Sequence, residues 1–349
     1  MAVSLERIAR KMRERVESAV ESQLFVSAHE QPFGLSRLSQ IEYVRSMRLK
    51  DELLLEFKHR ALEEFYSAEQ IENEYGTCLK ITHQAKIGIE LCDPNKYIES
   101  FSNELKLLYG IGPAVETKLK SLGYQTLADL REHPRWGTSA QQVLDCLQES
   151  DARALQSHIH RWFPVSHPLG CKLISLFNAG QIKFFDLESL GLFGRPVLLL
   201  GTATITDEGL EVVQYLARTI MEELPALLEI GRNLGREPAL VTYNGRAFDT
   251  NLLAERWGYY GLNIEFDPVH FDLLHAARRS FRDLLPDAKL STVEQHFGLK
   301  REIDLPGSLV PDFYNTYLET QNIGPLIPII EHNKQDLITL GVLLTEFSR

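Results

Sequence analysis

Residues 183–192 read KFFDLESLGL and place two acids, Asp186 and Glu188, inside an apolar run. The run predicts a buried strand, and side chains two positions apart on a strand lie on the same face. Asp186 and Glu188 therefore face one layer, whereas Phe185 and Leu187 face the other. Two like charges in a dry environment each disfavour ionisation of the other unless something positive lies between them. The stretch predicts a sheet whose buried strand carries an acid pair in need of a counter-charge.

The segments after this strand are typical of a mixed α/β fold. Two apolar segments, PVLLLGTATI at 196–205 and LEVVQYL at 210–216, predict strands joined by a tight turn. A helix near 216–234 and a strand, PALVTYN at 238–244, follow them. Strands that first run antiparallel and then alternate with helices indicate a mixed sheet flanked by helices. Residues 181–349 are therefore predicted to form one α/β domain.

Two further acids follow in positions that suit a site. Asp249 starts a helix directly after the strand at 238–244, and ligands in open α/β sheets gather beyond strand ends. Asp336 lies in an apolar terminal helix at 328–347, four residues after His332 and on the same helical face. Each has an ordinary alternative: Asp249 is also a good helix-capping residue, and His332 with Asp336 is also a plain polar stripe.

The order of these acids resembles the DEDD-type exonucleases of the ribonuclease H-like (DnaQ-like) superfamily. The matching patterns are a strand with D-x-E, a strand, turn and helix with N-G-R-x-F-D, and a terminal helix with H-N-x-x-D. Within that superfamily, residues 181–349 most resemble the YprB-like predicted exonucleases, through FFDLESLGL, VTYNGRAFD, HFDLLHAARR, LPGSLVPDFYNTYL and HNKQD. The resemblance implies a ribonuclease H-like fold in which four carboxylates converge: Asp186, Glu188, Asp249 and Asp336.

The resemblance also implies a metal-dependent 3′–5′ exonuclease that uses two Mg²⁺ or Mn²⁺ ions. Such hard cations prefer carboxylate oxygens, and a pair of them can hold a phosphodiester. Asp186 would bridge both ions, Glu188 and Asp336 would hold the ion that carries the attacking water, and Asp249 would support the other. His332 would act as the general base. It precedes Asp336 by four residues, the spacing of Tyr-type members, whereas His-type members place the His five residues before the Asp.

Residues near these acids are candidates for holding nucleic acid. Asn244 and Phe248 are expected to line the substrate groove, with the Phe248 ring stacking on a terminal base, and Arg246 is expected to reach a phosphate. Other basic residues are either backbone contacts or solvated surface: Arg278, Arg279, Arg282, Lys300 and Arg301. Asp272 is expected to be structural or to support the ligands from behind.

Residues 105–131 resemble a helix-hairpin-helix motif. Gly110 and Gly112 allow a tight hairpin, Pro113 can start the next helix, and free N–H groups at that helix start can meet a phosphate. Lys118 adds positive charge. The alternative is a compact helical linker that binds nothing.

The chain is predicted to have three parts. Residues 1–100 form a mainly helical region of unknown role, with an amphipathic helix at 5–20 and a β-like patch at 75–83; residues 101–180 hold the hairpin; residues 181–349 form the exonuclease domain. No apolar stretch approaches the ~20 residues of a membrane helix, and no signal peptide is recognisable, so we expect a cytoplasmic protein without membrane contact.

The net charge of the chain does not identify its binding partner. The net charge is −11, of which −9 falls on residues 181–349, so the electrostatics do not by themselves indicate nucleic acid. The preferred substrate is nonetheless nucleic acid, DNA rather than RNA, as suits a processing or repair enzyme. Two alternatives stay open: a non-catalytic nucleic-acid-binding scaffold on a nuclease fold, and a structure-specific endonuclease that uses the same site.

Overall fold

The computed structural model describes residues 40–192, 194–301, 303 and 305–349, with side chains from residue 42 onward. The helix predicted at 5–20 lies outside the described residues. In the described part of the chain the strands form one seven-stranded sheet with the order β1-β2-β5-β4-β3-β6-β7. The strands are β1 (Ser67–Asn73), β2 (Gly76–Ala85), β3 (Ile182–Ser189), β4 (Val197–Thr206), β5 (Gly209–Leu216), β6 (Ala239–Thr242) and β7 (Val269–Asp272). The predicted mixed α/β class is therefore confirmed.

The sheet changes from antiparallel to parallel at β3. Strands β3, β4 and β5 form an antiparallel meander, and β3 pairs with β6 in parallel. The turn into β5 requires a glycine: Gly209 has φ +128°, and a Cβ there would lie 2.2 Å from the carbonyl oxygen of Ala85. The strands predicted at 196–205, 210–216 and 238–244 lie within two residues of β4, β5 and β6, and β3 ends at Ser189, inside the KFFDLESLGL run. Strand β1 has no counterpart among the predicted strands.

Helices cover both faces of the sheet. They are α1 (Gln40–Glu56), α2 (Pro94–Ser102), α3 (Pro113–Ser121), α4 (Gly137–Gln148), α5 (Ala152–Trp162), α6 (Pro168–Lys172), α7 (Glu223–Leu234), α8 (Asp249–Tyr260), α9 (Leu273–Ser280), α10 (Leu290–His296), α11 (Val310–Thr320) and α12 (Leu326–Ser348). Helix α7 begins at Glu223 rather than near 216, because β5 continues to Leu216 and a 3₁₀ turn intervenes. Among these helices none combines the length and apolarity needed to cross a bilayer.

The pleat of β3 separates two hydrophobic cores. Phe184 packs in one core with Leu337 of α12 and with the helices of the 101–180 segment. Phe185 and Leu187 pack in the other core, against α7 and α8. The alternation read from KFFDLESLGL is thus confirmed, and it directs the acidic side chains of β3 toward α12.

The first hundred residues contribute to the same sheet. Strand β2, at the predicted β-like patch, pairs with β5 from Leu79 opposite Leu216 to Ala85 opposite Leu210, and β1 adds the edge strand. Helix α1 packs through Leu53 into a third cluster with α11 and the start of α12. The division at residues 100 and 180 stays a prediction, while the sheet itself draws strands from both sides of these boundaries.

Candidate active site

Strand β6 is shorter than β3 and leaves part of one β3 edge without a partner among the described strands. Strand β6 pairs with β3 only at Ile182–Phe184, so the rest of β3 is open on that side. Asp186 and Glu188 lie on this open part, half-buried and buried respectively. The site therefore forms where a short parallel strand stops beside a longer one.

A buried amide relay fixes Asp186. The side-chain amide of Asn333 on α12 donates to Oδ2 of Asp186 at 2.7 Å, and Gln214 on β5 donates to Oδ1 of Asn333 at 2.8 Å. Both amides are fully buried. Gly201, opposite Asp186 on β4, makes room: a Cβ there would lie 2.1 Å from Oδ1 of Asn333. Helix α12 can approach the sheet this closely only over a glycine.

Asp249 is the first residue of α8 and lies beside the open part of β3. Burial raises the pKa of its carboxyl to about 7, against the lowering effect of the backbone amides of Asp249 and Leu187, while the charges of Asp272 and Asp336 raise it further. The amide of Leu187 belongs to the open part of β3, so Asp249 is tied to the strand beside the first two acids.

The pKa shifts of Asp186 and Glu188 reflect the charges of the other acids. Burial raises the pKa of both carboxyls well above the usual range, and the charges of Asp336 and then Asp249 raise it further. Arg301 acts in the opposite direction on Glu188. All four acids named from the sequence are therefore close enough to oppose one another's ionisation.

Arg301 supplies positive charge inside this group, which sequence reasoning missed. Its guanidinium donates to Oδ1 of Asp336, and it forms a fork on Glu294 at 2.7 and 2.9 Å. Burial opposes its charge, yet Asp336 and Glu294 raise its pKa. We expected a surface contact to phosphate or solvent; the structure instead buries this arginine. No local pattern marks it, because its contact with the acid group is to Asp336, 35 residues further along the chain.

The same arginine determines the protonation pattern of His332. Arg301 contacts Nδ1 of His332 at 2.7 Å, and since arginine only donates, Nδ1 must accept. The proton of the neutral ring then lies on Nε2, which is 3.8 Å from Oε1 of Glu188 and 3.6 Å from Oδ2 of Asp336. His332 is thus beside the acids, but its acceptor nitrogen faces Arg301.

The loop between β6 and α8 carries the residues expected to contact substrate. Asn244 has φ +65°, and its backbone amide donates to Asp272 at 2.8 Å. The guanidinium of Arg246 donates to the carbonyl oxygen of His270 at 2.9 Å, so this side chain is already engaged. Phe248 is half-buried against the α7–α8 core. Asp272 caps α9 and holds the loop, as expected of a supporting residue.

The hairpin segment has a tight turn and an open helix start. Gly110 has φ +79°, Pro113 is the first residue of α3, and Gly112 before it provides no side-chain cap. Lys118 is exposed. A 3₁₀ turn, not an α-helix, precedes the hairpin.

The acid group has the donor chemistry of a site for hard divalent cations. Within the described residues, no three His, Cys, Asp or Glu side chains are arranged as ligands of one ion. The donor chemistry nevertheless fits: four carboxylates that oppose one another's ionisation are what a hard divalent cation would stabilise. Asp336 is bound to Arg301 instead.

Comparison with known proteins agrees with the fold. Residues 183–347 match the family model RNase_H_2 of the RNase H superfamily. This match supports a hydrolase that acts on nucleic acid, and RNase H-like nucleases generally use divalent metals. The chain is also 32% identical over 191 residues to "Uncharacterized protein YprB" of Bacillus subtilis (strain 168). The match covers 53% of this chain and 45% of the relative, so the chain spans less than half the length of that protein.

Proposed function

We propose that the protein is a metal-dependent 3′–5′ exonuclease that hydrolyses phosphodiester bonds of nucleic acid, with DNA favoured over RNA. One observation carries the proposal. Acids from one strand and two helices, Asp186, Glu188, Asp249 and Asp336, lie at the open part of β3, where the charges of Asp336 and Asp249 oppose the ionisation of both Asp186 and Glu188. Carboxylates crowded in this way oppose one another's ionisation and cost stability without a cation, which supports a functional reason for their placement.

Two Mg²⁺ or Mn²⁺ ions bound to these acids would activate a water and stabilise the leaving oxygen. Asp186 would be shared between them, Glu188 and Asp336 would hold one, and Asp249 the other. Asn333 would keep Asp186 in place through its bond to Oδ2, leaving Oδ1 available. The relay thereby orients the ligand in the proposed site.

His332 remains the proposed general base under one condition. Its Nε2 faces Glu188 and Asp336, where the attacking water would be expected. To accept a proton there, the ring must carry its other proton on Nδ1, so Arg301 must release Nδ1 first. Release of Arg301 also frees Asp336. The same movement of Arg301 would therefore free Nδ1 of His332 and make Asp336 available to a metal ion.

Substrate contacts are proposed at two places. Asn244, Arg246 and Phe248 would contact the terminal nucleotide beside Asp249, with Arg246 exchanging its bond to a backbone carbonyl for a phosphate. The hairpin glycines Gly110 and Gly112 with Lys118 would hold the nucleic-acid backbone.

The test is hydrolysis of end-labelled single- and double-stranded DNA and RNA by the purified protein with Mn²⁺. A 5′ label should give a ladder that shortens from the 3′ end, and Asp186→Asn should abolish it. Asp267→Asn, at an exposed acid bonded to Arg153, is the matched control and should leave the rate unchanged. Cleavage of circular single strands would indicate an endonuclease, and binding without cleavage would indicate a scaffold.

A further inference from the structure

Two aromatic side chains stand exposed outside the acid group. Tyr109, beside the hairpin, is 73% exposed, and Trp162, the last residue of α5, is 39% exposed. Their ring centroids are 5.5 Å apart with planes at 40°. We call this pair the aromatic step. Large aromatic side chains usually bury most of their surface, so an exposed pair in contact suggests a binding surface.

The backbone beneath the aromatic step is held firmly. The indole N–H of Trp136 donates to the carbonyl oxygen of Tyr109 at 3.0 Å. Leu108 and Ile111 on either side are buried, and Gly110 turns the chain with φ +79°. The Tyr109 ring is therefore presented to solvent by a fixed turn, which lowers the entropy lost when a ligand binds.

Positive charge flanks the aromatic step. The guanidinium of Arg161 lies 5.9 Å from the centre of the Trp162 ring. That of Arg135 lies over Trp136 and 3.1 Å from where a Gly110 Cβ would be. Both arginines are exposed, and neither forms an ion pair with a described residue. Aromatic faces beside free guanidinium groups complement the bases and phosphates of a nucleic-acid strand.

Helix α5 links the aromatic step to the loop beside the acids. His160, two residues before Trp162, lies near Arg246 and His275, and the side-chain amide of Gln156 donates to the carbonyl oxygen of His270 at 3.0 Å. Arg246 in turn binds that same carbonyl oxygen. A strand resting on the aromatic step could therefore run along α5 toward Asp249.

We propose that the aromatic step binds unstacked bases of single-stranded nucleic acid and guides the strand toward the acid group. The part of this proposal that guides the strand toward the acid group rests on the proposed function. In a duplex, bases are already stacked on one another and cannot use the two rings. The surface thus favours single strands, whereas hairpin contacts to phosphates alone do not distinguish them.

The experiment measures binding by fluorescence anisotropy with the full chain in EDTA, using a labelled single strand and a duplex of equal length. Tyr109→Ala should weaken single-strand binding about tenfold, as expected for loss of one base stack, and leave duplex binding unchanged. Tyr109→Phe keeps the ring and should bind as the unaltered protein does. Tyr75→Ala removes an exposed tyrosine from the distant β1–β2 turn and is the matched control.

Unchanged single-strand binding by Tyr109→Ala, or equal loss for both ligands, would overturn the proposal. So would failure of the Phe variant, since the ring would then not be the binding element. Because the measurement needs no metal, it is independent of hydrolysis: Tyr109-dependent binding without any nuclease activity would reject the exonuclease and keep the aromatic step. Normal hydrolysis together with binding that does not depend on Tyr109 would keep the exonuclease and reject the aromatic step. Unchanged hydrolysis of a nitrophenyl ester of a mononucleotide by Tyr109→Ala would further support a role in binding alone.

Discussion

Replacing Asp249 by Asn should make the metal-free protein more stable. Burial raises the pKa of this carboxyl from its usual 3.8 to about 7, despite the two backbone amides that favour its charge. A carboxyl whose pKa is raised by folding is harder to ionise in the folded chain than in the unfolded chain. Above neutral pH, the ionised Asp249 therefore costs stability, which the neutral amide of Asn does not.

The magnitude follows from the size of the shift. A rise from 3.8 to about 7 is roughly three units, and each unit corresponds to about 1.4 kcal/mol, so the cost is at most about 4 kcal/mol. We expect Asp249→Asn to recover about half of it, because neighbouring acids that share protons already relieve part of the repulsion. The predicted gain is about 2 kcal/mol in the free energy of unfolding at pH 8.

The dependence on pH has a definite sign. Below about pH 3.8 Asp249 is protonated in both states and costs nothing; the cost grows as pH rises toward about 7 and is constant above it. The stability of the unaltered protein should therefore fall across this window, and that of Asp249→Asn should fall less. The two proteins should converge at acid pH.

The assay is urea unfolding in EDTA at pH 8 and pH 5, repeated at pH 8 with Mn²⁺. A ligand at one hundred times its dissociation constant stabilises by about 2.7 kcal/mol, so the unaltered protein should gain clearly from Mn²⁺ and the variant much less. Asp267→Asn, at an exposed acid, should behave as the unaltered protein in every condition. A less stable Asp249→Asn in EDTA at pH 8, or a difference that does not shrink at pH 5, would refute the reasoning.

Three further substitutions test the packing around the site. Arg301→Gln should lower metal-free stability by about 3–5 kcal/mol, since buried Glu294 loses its charged partner and keeps the Thr339 hydroxyl as a donor, yet bind Mn²⁺ more tightly in calorimetric titration because a competing cation is gone. Gly201→Ala should cost about 1–3 kcal/mol in urea unfolding and slow hydrolysis, because its Cβ would displace Asn333. Glu223→Gln should cost about 3–5 kcal/mol, since the buried Arg256 loses its charged partner at 2.7 Å.

Each of these has an outcome that contradicts it. Weaker Mn²⁺ binding by Arg301→Gln would mean that the arginine organises the ligands rather than competing for them. A Gly201→Ala protein of normal stability would show that α12 can move away from β4. For Glu223→Gln, a loss no larger than that of Glu265→Gln, at an exposed ion pair with Arg236, would show that burial adds nothing to the pair.

Much of the framework of the candidate site is encoded in short-range sequence patterns. The period of two in KFFDLESLGL assigns Asp186 and Glu188 to one face, and the observed cores on either side of β3 follow that assignment. Asp249 is recognisable because it directly follows a strand and starts a helix. Asp336 is recognisable through its place on an apolar terminal helix. Such features depend on neighbouring residues, so a sequence displays them directly.

The tertiary structure alone decided what surrounds these acids. The sequence posed the question of a counter-charge for Asp186 and Glu188, and divalent cations were the expected answer. In the fold, Arg301 occupies that role beside Asp336. The contact of Arg301 with Asp336 spans 35 residues, and the contacts from Gln214 to Asn333 and from Asn333 to Asp186 span 119 and 147 residues. Contacts of this kind leave no periodicity or spacing in a single sequence, because they depend on which helix packs over which strand and how closely a glycine lets it approach.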